Sequence, residues 1–405
     1  MPTLLQINVS ANWGSTGKIA EQIGLLAQKS GWNSYIAYGR YMNSSSNKLI
    51  KIGSMLDVYE HYVENVFLDN EGRASRRATK KFLKIVDKIK PDLVHLHNIH
   101  DHYLNYELLF RYLAVKKIPV VWTQHDLWAI TGHCFYFGDC NRWKDECYDC
   151  EVSNWFSLDF SKRNHRYKKN IIAALPYLKI VTVSDWLAGI IRQSHLKDRF
   201  IEVVHNGIDL NVFRPQKKNF FSNEGIVKGK KILLGVASVW NKRKGLEDLF
   251  KLAESLPIEE YILIIVGKVS EKKYILKDCQ GNSCQIIFID RTQNQKELAM
   301  LYSMADILLS LSYGETFGMT MVEAYACGTP CIVYDNTAQP ELITPDTGRV
   351  ARTGDIGDVL RCIYEMINGD FKSIHAKDCR QRAEQMYDKN KCFEKYLILY
   401  ESFVP

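Results

Sequence analysis

Residues Ser310–Val333 read SLSYGETFGMTMVEAYACGTPCIV. The apolar run Ile307–Leu311 is expected to form a buried strand that ends in a Ser312-Tyr313-Gly314 loop and delivers Glu315. A short helix should start near Thr316–Gly318, carry Glu323 and stop at Gly328-Thr329-Pro330, with the next strand over Cys331–Tyr334. In open α/β sheets, ligands bind where such a strand ends and its helix begins. The helix start at Phe317-Gly318-Met319 offers backbone N–H groups and the positive end of the helix dipole, which suit a phosphate. Gly314 and Gly318 let a ligand approach the backbone closely. Glu315 can accept hydrogen bonds from sugar hydroxyls there, and Glu323, two turns on, from a second set such as a ribose. Taken alone, two Glu residues are more simply read as solvated surface carboxylates.

The same strand–helix rhythm runs through the whole chain. Apolar runs occur at Leu4–Val9, Tyr35–Tyr38, Leu93–Leu96, Val120–Thr123, Ile180–Val183 and Val203–Val204, then at Ile232–Val236, Ile262–Val266, Ile286–Ile289, Ile307–Leu311 and Ile332–Tyr334. Amphipathic, helix-length stretches such as 17–30, 74–90, 245–255, 295–304 and 355–368 separate them. Two successive sets of buried parallel-type strands with crossover helices predict an α/β chain of two Rossmann-like domains. The best seam is Asn206-Gly207-Ile208-Asp209, giving a first domain over 1–205, a second over 206–388 and a last segment over 389–405. Ser184 or Asp185 should cap a helix.

Composition narrows the function classes. The chain has 405 residues, 46% hydrophobic, enough for two sizeable cores. A net charge of +7 fits anionic substrates or an acidic membrane surface and is too weak to argue for nucleic acid. No apolar run approaches the ~20 residues of a membrane span. MPTLLQINVS at the N-terminus reads as a strand, without the features of a signal peptide, so a cytoplasmic location is expected, with the inner face of the cell membrane as a further site. Segment 72–90, GRASRRATKKFLKIVDKIK, carries eight Lys or Arg. Its plain reading is a solvated helix face; the alternative is a membrane-surface patch whose apolar side is Phe82, Leu83, Val86 and Ile89.

Several first-half motifs sit at strand ends. Asn12-Trp13-Gly14-Ser15-Thr16-Gly17-Lys18 follows the first strand, and its glycines could admit a phosphate or an acceptor. It lacks the spacing of a P-loop. His95 and His97 in VHLHNIHDH alternate onto one face, which allows a metal by spacing but reads better as a polar cluster at a strand end. Trp122-Thr123-Gln124-His125-Asp126 ends the next strand. Then come Cys134, Cys140, Cys147 and Cys150 in a Cys-rich insertion over 132–152, of which only the last pair has CxxC spacing. Structural zinc, two disulfides and free thiols all compete; a reducing compartment disfavours disulfides, and four Cys within seventeen residues disfavour chance. Four Cys ligands would leave no open position, so such a zinc would brace a loop rather than catalyse. In the second half, Lys242-Arg243-Lys244-Gly245 opens a helix, where three cations oppose the dipole unless an anion offsets them.

These motifs together resemble the retaining GT-B glycosyltransferases of group 1, or family 4. Glu315-Thr-Phe-Gly-Met-Thr-Met-Val-Glu323 looks like that family's E-x7-E signature, and Ala326-Cys-Gly-Thr-Pro330 like the segment that follows it. HLHNIH and THD-x-W-x-x-TGHC resemble a subgroup of bacterial polysaccharide synthesis. The resemblance covers almost the whole chain. It implies a GT-B fold, in which two parallel-sheet domains face a cleft and a last helix, here Lys391–Phe403, crosses back to the first domain. It implies transfer of a sugar, as a hexosyltransferase, from a UDP- or GDP-linked donor to a glycan or lipid-linked glycan acceptor. His125, Glu315 and Lys244 would carry catalysis, with His125 contacting the sugar. Arg243, Glu323, Phe317, Gly318, Met319, Gly14 and Gly17 would bind donor, and Asn98, His100 and Asp126 would lie on the acceptor side. The family's Arg usually stands several residues earlier than Arg243. There is no Asp-x-Asp, so no catalytic metal is expected. A sugar-nucleotide epimerase of the same fold and a non-catalytic sugar-nucleotide-binding protein are the alternatives.

Overall fold

The computed structural model describes residues 1–70, 72–151, 159–217, 220–221, 227, 229–269 and 285–403. The chain divides into two compact units, Met1–His205 with Asn390–Pro405, and Asn206–Lys389.

Six apolar runs of the first half become strands, and Lys48–Lys51, which sequence periodicity did not single out, adds a seventh. The elements of the first unit are β1 (Thr3–Asn8), α1 (Gly14–Lys29), β2 (Asn33–Tyr38), β3 (Lys48–Lys51), α2 (Met55–Leu68), α3 (Arg76–Ile89), β4 (Leu93–Leu96), α4 (Tyr106–Lys116), β5 (Val120–Gln124), α5 (Ser161–Ala173), β6 (Leu178–Thr182), α6 (Asp185–Ile191) and β7 (Phe200–Val203). The strand order is β3-β2-β1-β4-β5-β6-β7, and every pairing is parallel. The order reverses between β1 and β4, in register at Ile7↔Leu96. Ser184 caps α6 by accepting from the Leu187 N–H at 3.1 Å.

The second unit repeats the plan with β8 (Lys231–Trp240), α7 (Leu246–Ser255), β9 (Tyr261–Val269), β10 (Gln285–Ile289), α8 (Gln295–Met304), β11 (Ile307–Ser310), α9 (Met319–Ala326), β12 (Cys331–Tyr334), β13 (Gly348–Ala351), α10 (Ile356–Asn368) and α11 (Phe371–Met386). The order β10-β9-β8-β11-β12-β13 is again wholly parallel and reverses between β8 and β11. Its core joins Leu233, Leu263, Leu309 and Ile332 of the sheet to Leu249 and Phe250 of α7 and Val359, Ile363 and Met366 of α10. β9 runs on past the apolar run Ile262–Val266, with Gly267 inside the strand. A β-carbon there would meet the Ala237 carbonyl oxygen at 1.8 Å, beside a bulge between Val236 and Val239. Gly207 is likewise a close-approach glycine, with Lys389 Cα 2.3 Å from where its β-carbon would stand.

The last helix, α12 (Lys389–Glu401), packs Phe393, Tyr396, Leu397 and Tyr400 into the first unit's core with Leu4, Ile23, Leu93 and Val121. This explains His95, which is fully buried. Its Nδ1 meets the Tyr400 hydroxyl at 2.6 Å and its Nε2 the Thr123 hydroxyl at 2.8 Å, and Thr123 in turn meets Tyr396 at 3.0 Å. His95 therefore ties the sheet to α12 and is not part of a ligand-facing cluster.

The basic helix α3 also differs from one expectation. Phe82 is 2% and Val86 1% exposed, so the apolar side proposed for a membrane faces the core. The exposed apolar residues lie next door on α2, where Leu56, Tyr59, Tyr62 and Phe67 are 67%, 64%, 52% and 61% exposed. The two helices are joined through His61 Nδ1 and the Ser75 hydroxyl at 2.8 Å. Among the described residues, no helix is long and apolar enough to cross a membrane.

Candidate active site

At the second unit's reversal point, two loops come together from far apart in sequence. After β8, Lys242–Lys244 form one turn of 3-10 helix, capped by Asn241, whose Oδ1 accepts from the Lys244 N–H at 3.1 Å. After β11 comes the loop that carries Glu315. The Arg243 carbonyl accepts from the Tyr313 N–H at 2.8 Å and the Ser312 hydroxyl at 3.1 Å, and the Arg243 guanidinium donates to the Gly314 carbonyl. Lys244 Nζ is ion-paired to Glu315 Oε1. Gly245, in the left-handed region at φ +75°, lies so close to β11 that a β-carbon would stand 1.9 Å from the Leu311 carbonyl oxygen. The pairing of Lys244 and Glu315 corrects one inference from sequence: the chain itself offsets much of the cationic turn, so the cations alone do not require a bound anion.

A third segment closes the cradle. The Glu315 N–H donates to the Thr337 hydroxyl at 3.1 Å, and the Glu315 carbonyl accepts from the Ala338 N–H at 3.2 Å. Gln339, fully buried, donates to the Ser312 carbonyl and accepts from the Ser310 hydroxyl, both at 2.8 Å. Gly318, at φ +114°, is the N-cap of α9, so that helix starts directly after the same loop. The Phe317 side chain points the other way. It is 2% exposed and packs edge-on against Tyr387, so only its backbone is left to meet a donor.

Two positioning residues had no signal in the sequence. The buried Asp248 of α7 accepts from the Tyr313 hydroxyl at 2.7 Å and the Tyr334 hydroxyl at 2.9 Å, fixing the loop from behind. Burial and this carboxylate push the Tyr313 hydroxyl up to about 12. Tyr302 of α8, fully buried, donates to Glu323 Oε2 at 2.9 Å and so holds that carboxylate's orientation. Single Asp and Tyr residues on amphipathic helices look like any other, and only the fold brings them behind the site.

In the first unit, β1, β4 and β5 converge at their carboxyl ends. Gln6 Nε2 donates to the Ala20 carbonyl at 2.8 Å, which leaves its Oε1 to accept from His97 Nε2 at 3.1 Å. His97 Nδ1 must then accept, and His125 Nε2, 3.1 Å away, donates. The relay assigns His125 the Nε2–H tautomer, with Nδ1 as the acceptor nitrogen. Burial lowers His125 to about 4 and His97 well below its ordinary value, so both rings are neutral at pH 7. Next to them, His100 Nε2 meets Asp126 Oδ2 at 2.8 Å, and Asp126 Oδ1 accepts from the Trp128 N–H at 2.9 Å. Burial works to raise the Asp126 carboxyl, but the His100 ring and the Trp128 N–H hold it below its ordinary range. The Asn98 N–H donates to Asn8 Oδ1 at 3.2 Å, and its carbonyl accepts from Tyr103 at 2.8 Å. A small pocket at these strand ends is lined by His97, Asn98, His100, His125 and Asp126.

The remaining expected residues divide. Gly14, at φ +64°, opens α1 with nothing within 4 Å of its β-carbon position, so the backbone there is approachable. Gly17 has a structural explanation instead: its β-carbon would stand 2.8 Å from the Ser10 hydroxyl and 3.3 Å from the Asn12 nitrogen. None of the nine described cysteines is in a disulfide; of the loop cysteines, Cys147 is buried, Cys134 and Cys150 half-buried and Cys140 exposed.

Known proteins bear on both halves. Residues 24–212 match the family model "Glycosyltransferase Family 4", and residues 216–386 match "Glycosyl transferases group 1". A Klebsiella pneumoniae protein described as an uncharacterized 41.2 kDa protein in the cps region is 25% identical over 84% of this chain and 88% of its own length. The putative colanic acid biosynthesis glycosyl transferase WcaC of Escherichia coli K12 is 20% identical over 77% of this chain and 76% of its own. Among solved structures, Anabaena Alr3699/HepE in complex with UDP-glucose superposes with a TM-score of 0.66 at 14% identity, covering 99% of each chain.

Proposed function

The chain is a glycosyltransferase of the GT-B fold, and from that premise we propose that it moves a sugar from a nucleoside-diphosphate sugar to an acceptor hydroxyl with retention of anomeric configuration. The observation that carries this reading is the Lys244–Glu315 pair, held at the second unit's reversal point beside the N-terminus of α9. When donor binds, Lys244 turns from Glu315 to the diphosphate, and Glu315 turns to hydroxyls of the transferred sugar. The bond from the anomeric carbon to the phosphate oxygen breaks, a bond to the acceptor oxygen forms, and the acceptor proton leaves with the diphosphate. Lys244 and the α9 N–H groups stabilise the charge that develops on the leaving group. Arg243 contributes through the loop it clamps. Glu323, oriented by Tyr302, takes the ribose.

In the first unit, neutral His125 is assigned to a hydroxyl of the transferred sugar through Nδ1, and Asn98, His100 and Asp126 to the acceptor. A UDP-linked donor is favoured over a GDP-linked one by the UDP-glucose complex of the similar Anabaena protein. The WcaC relative supports an acceptor that is a glycan or lipid-linked glycan in bacterial polysaccharide synthesis. A peripheral contact with an acidic membrane accords with this. The apolar face of α2, flanked by Arg76, Arg77, Lys80, Lys81 and Lys84 of α3, supplies both the buried-area and the charge terms of such binding.

The test separates two roles in one cradle. Lys244→Ala should abolish transfer and weaken binding of free UDP. Glu315→Gln should also cost transfer, yet leave UDP binding unweakened, because the sugar is its ligand and Lys244 is released to the phosphates. Full turnover in both variants would overturn the assignment, and an inverted anomer in the wild-type product would overturn retention alone.

A further inference from the structure

We propose that the loop Gly132–Cys150 of the first unit is a structural zinc site, with Cys134, Cys147 and Cys150 as thiolate ligands and His133 Nε2 as the fourth ligand. The loop follows β5 and its cysteines lie within mutual electrostatic reach: Cys134 with Cys150, and Cys147 with both. Cys147-x2-Cys150 has the spacing of a zinc knuckle. The Gly132 N–H already donates to Cys147 Sγ at 3.2 Å. Buried Lys168, which donates to the Trp128 carbonyl at 2.6 Å, sits near Cys134 and Cys147.

His133 selects the fourth position. Its Nδ1 is held by both oxygens of buried Asp69, at 3.1 and 3.2 Å, and Asp69 is itself fixed by the Phe160 N–H at 3.1 Å. A carboxylate on one ring nitrogen is the usual way that a metal-ligating imidazole is oriented, because it directs the other nitrogen at the metal. That other nitrogen, Nε2, is buried without a well-formed hydrogen bond and lies against the Cys150 thiol. Cys140 fits less well, because it is exposed. No three of these donor atoms lie within 4.8 Å of one another among the described residues, so the ion would draw the loop together. Three thiolates and an imidazole complete a tetrahedral shell without room for a substrate, so the metal braces the loop. The brace reaches the strand-end pocket directly: Phe135, one residue from Cys134, packs on His100 with ring centroids 4.5 Å apart, and its carbonyl accepts from the Leu127 N–H at 3.1 Å.

The full chain, purified without chelator, should carry about one equivalent of zinc by elemental analysis. Cobalt substitution should give the intense visible bands of a tetrahedral site with a thiolate charge-transfer shoulder. Cys140→Ser should keep the metal. Cys147→Ser and His133→Ala should lose it, or bind it at least about tenfold more weakly. Less than about a tenth of an equivalent in the wild-type chain, after expression with added zinc, would overturn the site. Retention of metal by His133→Ala together with its loss in Cys140→Ser would overturn the ligand set. Should Cys147→Ser not fold, the wild-type metal content and cobalt spectrum still decide the first point, and His133→Ala against Cys140→Ser the second.

Discussion

Gly245→Ala puts a methyl group where the backbone leaves no space, and the close approach there sets the size of its effect. The new β-carbon would stand 1.9 Å from the Leu311 carbonyl oxygen, whereas β-carbons essentially never come closer than 3.0 Å. The turn and β11 must therefore separate by roughly 1.1 Å, the difference of those distances. The partner atom is backbone at the end of a buried strand, so no side-chain rotation relieves the clash. An L-residue in the left-handed region costs ~1–2 kcal/mol, and overpacking of this kind ~1–3 kcal/mol. Together they predict roughly 2–5 kcal/mol, or a Tm lower by roughly 4–20 °C for a unit of this size. Activity should fall further than stability. Lys244 precedes Gly245 directly, and a displacement of ~1 Å in a positioning group can cost ~100-fold in rate. Differential scanning fluorimetry gives the first quantity, and transfer from a UDP-linked donor at a temperature well below the variant's Tm gives the second. A variant with wild-type Tm and full transfer would refute the view that this glycine sets the position of Lys244.

Three other outcomes follow from particular contacts. Tyr302→Phe removes the hydroxyl that orients Glu323; a lost hydrogen bond to a charged group is worth ~1.5–3 kcal/mol, so donor KM should rise by tenfold or more with a smaller change in kcat, and an unchanged KM would dissociate Glu323 from the donor. Burial lowers His61 and His195 to about 3 and His125 and His165 to about 4. Below pH 6.5 the unfolded chain therefore binds more protons at these sites than the folded one, and stability that is complete above about pH 6.5 should be lost as pH falls toward 4. A Tm that is flat from pH 7 to pH 5 would contradict this. Leu56→Asp with Tyr59→Asp should abolish co-sedimentation with phosphatidylglycerol vesicles, and Lys80→Ala with Lys81→Ala should weaken it in a salt-dependent way. Wild-type sedimentation in both would exclude this surface as the contact.

The sheets were legible because their strands are buried on both faces. Leu93–Leu96 and Cys331–Tyr334 contain no exposed residue, and a continuous apolar run bounded by loops has few other readings. β3, with no fully buried position, is an edge strand whose sequence KLIK carries no such pattern. Candidate site residues could be picked out where chemistry depends on residue type at a chain-local spacing: Glu315, Glu323 and Lys244-Gly245 lie in short motifs. The site was illegible where support comes from the far side of a fold. Asp248 and Gln339 contact the 310–315 segment, but nothing in their own neighbourhoods distinguishes them from surface polar residues. The face of α3 failed for a related reason. An amphipathic helix has one apolar stripe, and periodicity cannot say whether a protein core or a membrane receives it.

The cationic turn at Lys242–Lys244 shows how the two levels combine. On sequence alone, three positive charges opening a helix call for an external anion. In the fold the turn is a separate 3-10 element, and Gly245 stands between it and α7, so the cations do not lie on the helix's own first turn. Two of them are engaged by the 312–315 loop, through the Gly314 carbonyl and the Glu315 carboxylate. The charge cost is therefore met internally before any donor arrives, and the loop after β11 is held in place by that same interaction. A site arranged this way is stable when empty and ready when occupied. Under the proposed mechanism, donor binding exchanges one anion for another at Lys244, and the displaced carboxylate becomes free for the sugar in the same movement. Lys244 and Glu315 are thus better understood as a single exchangeable unit than as two independent ligands, which is why UDP affinity, and not rate alone, distinguishes their roles.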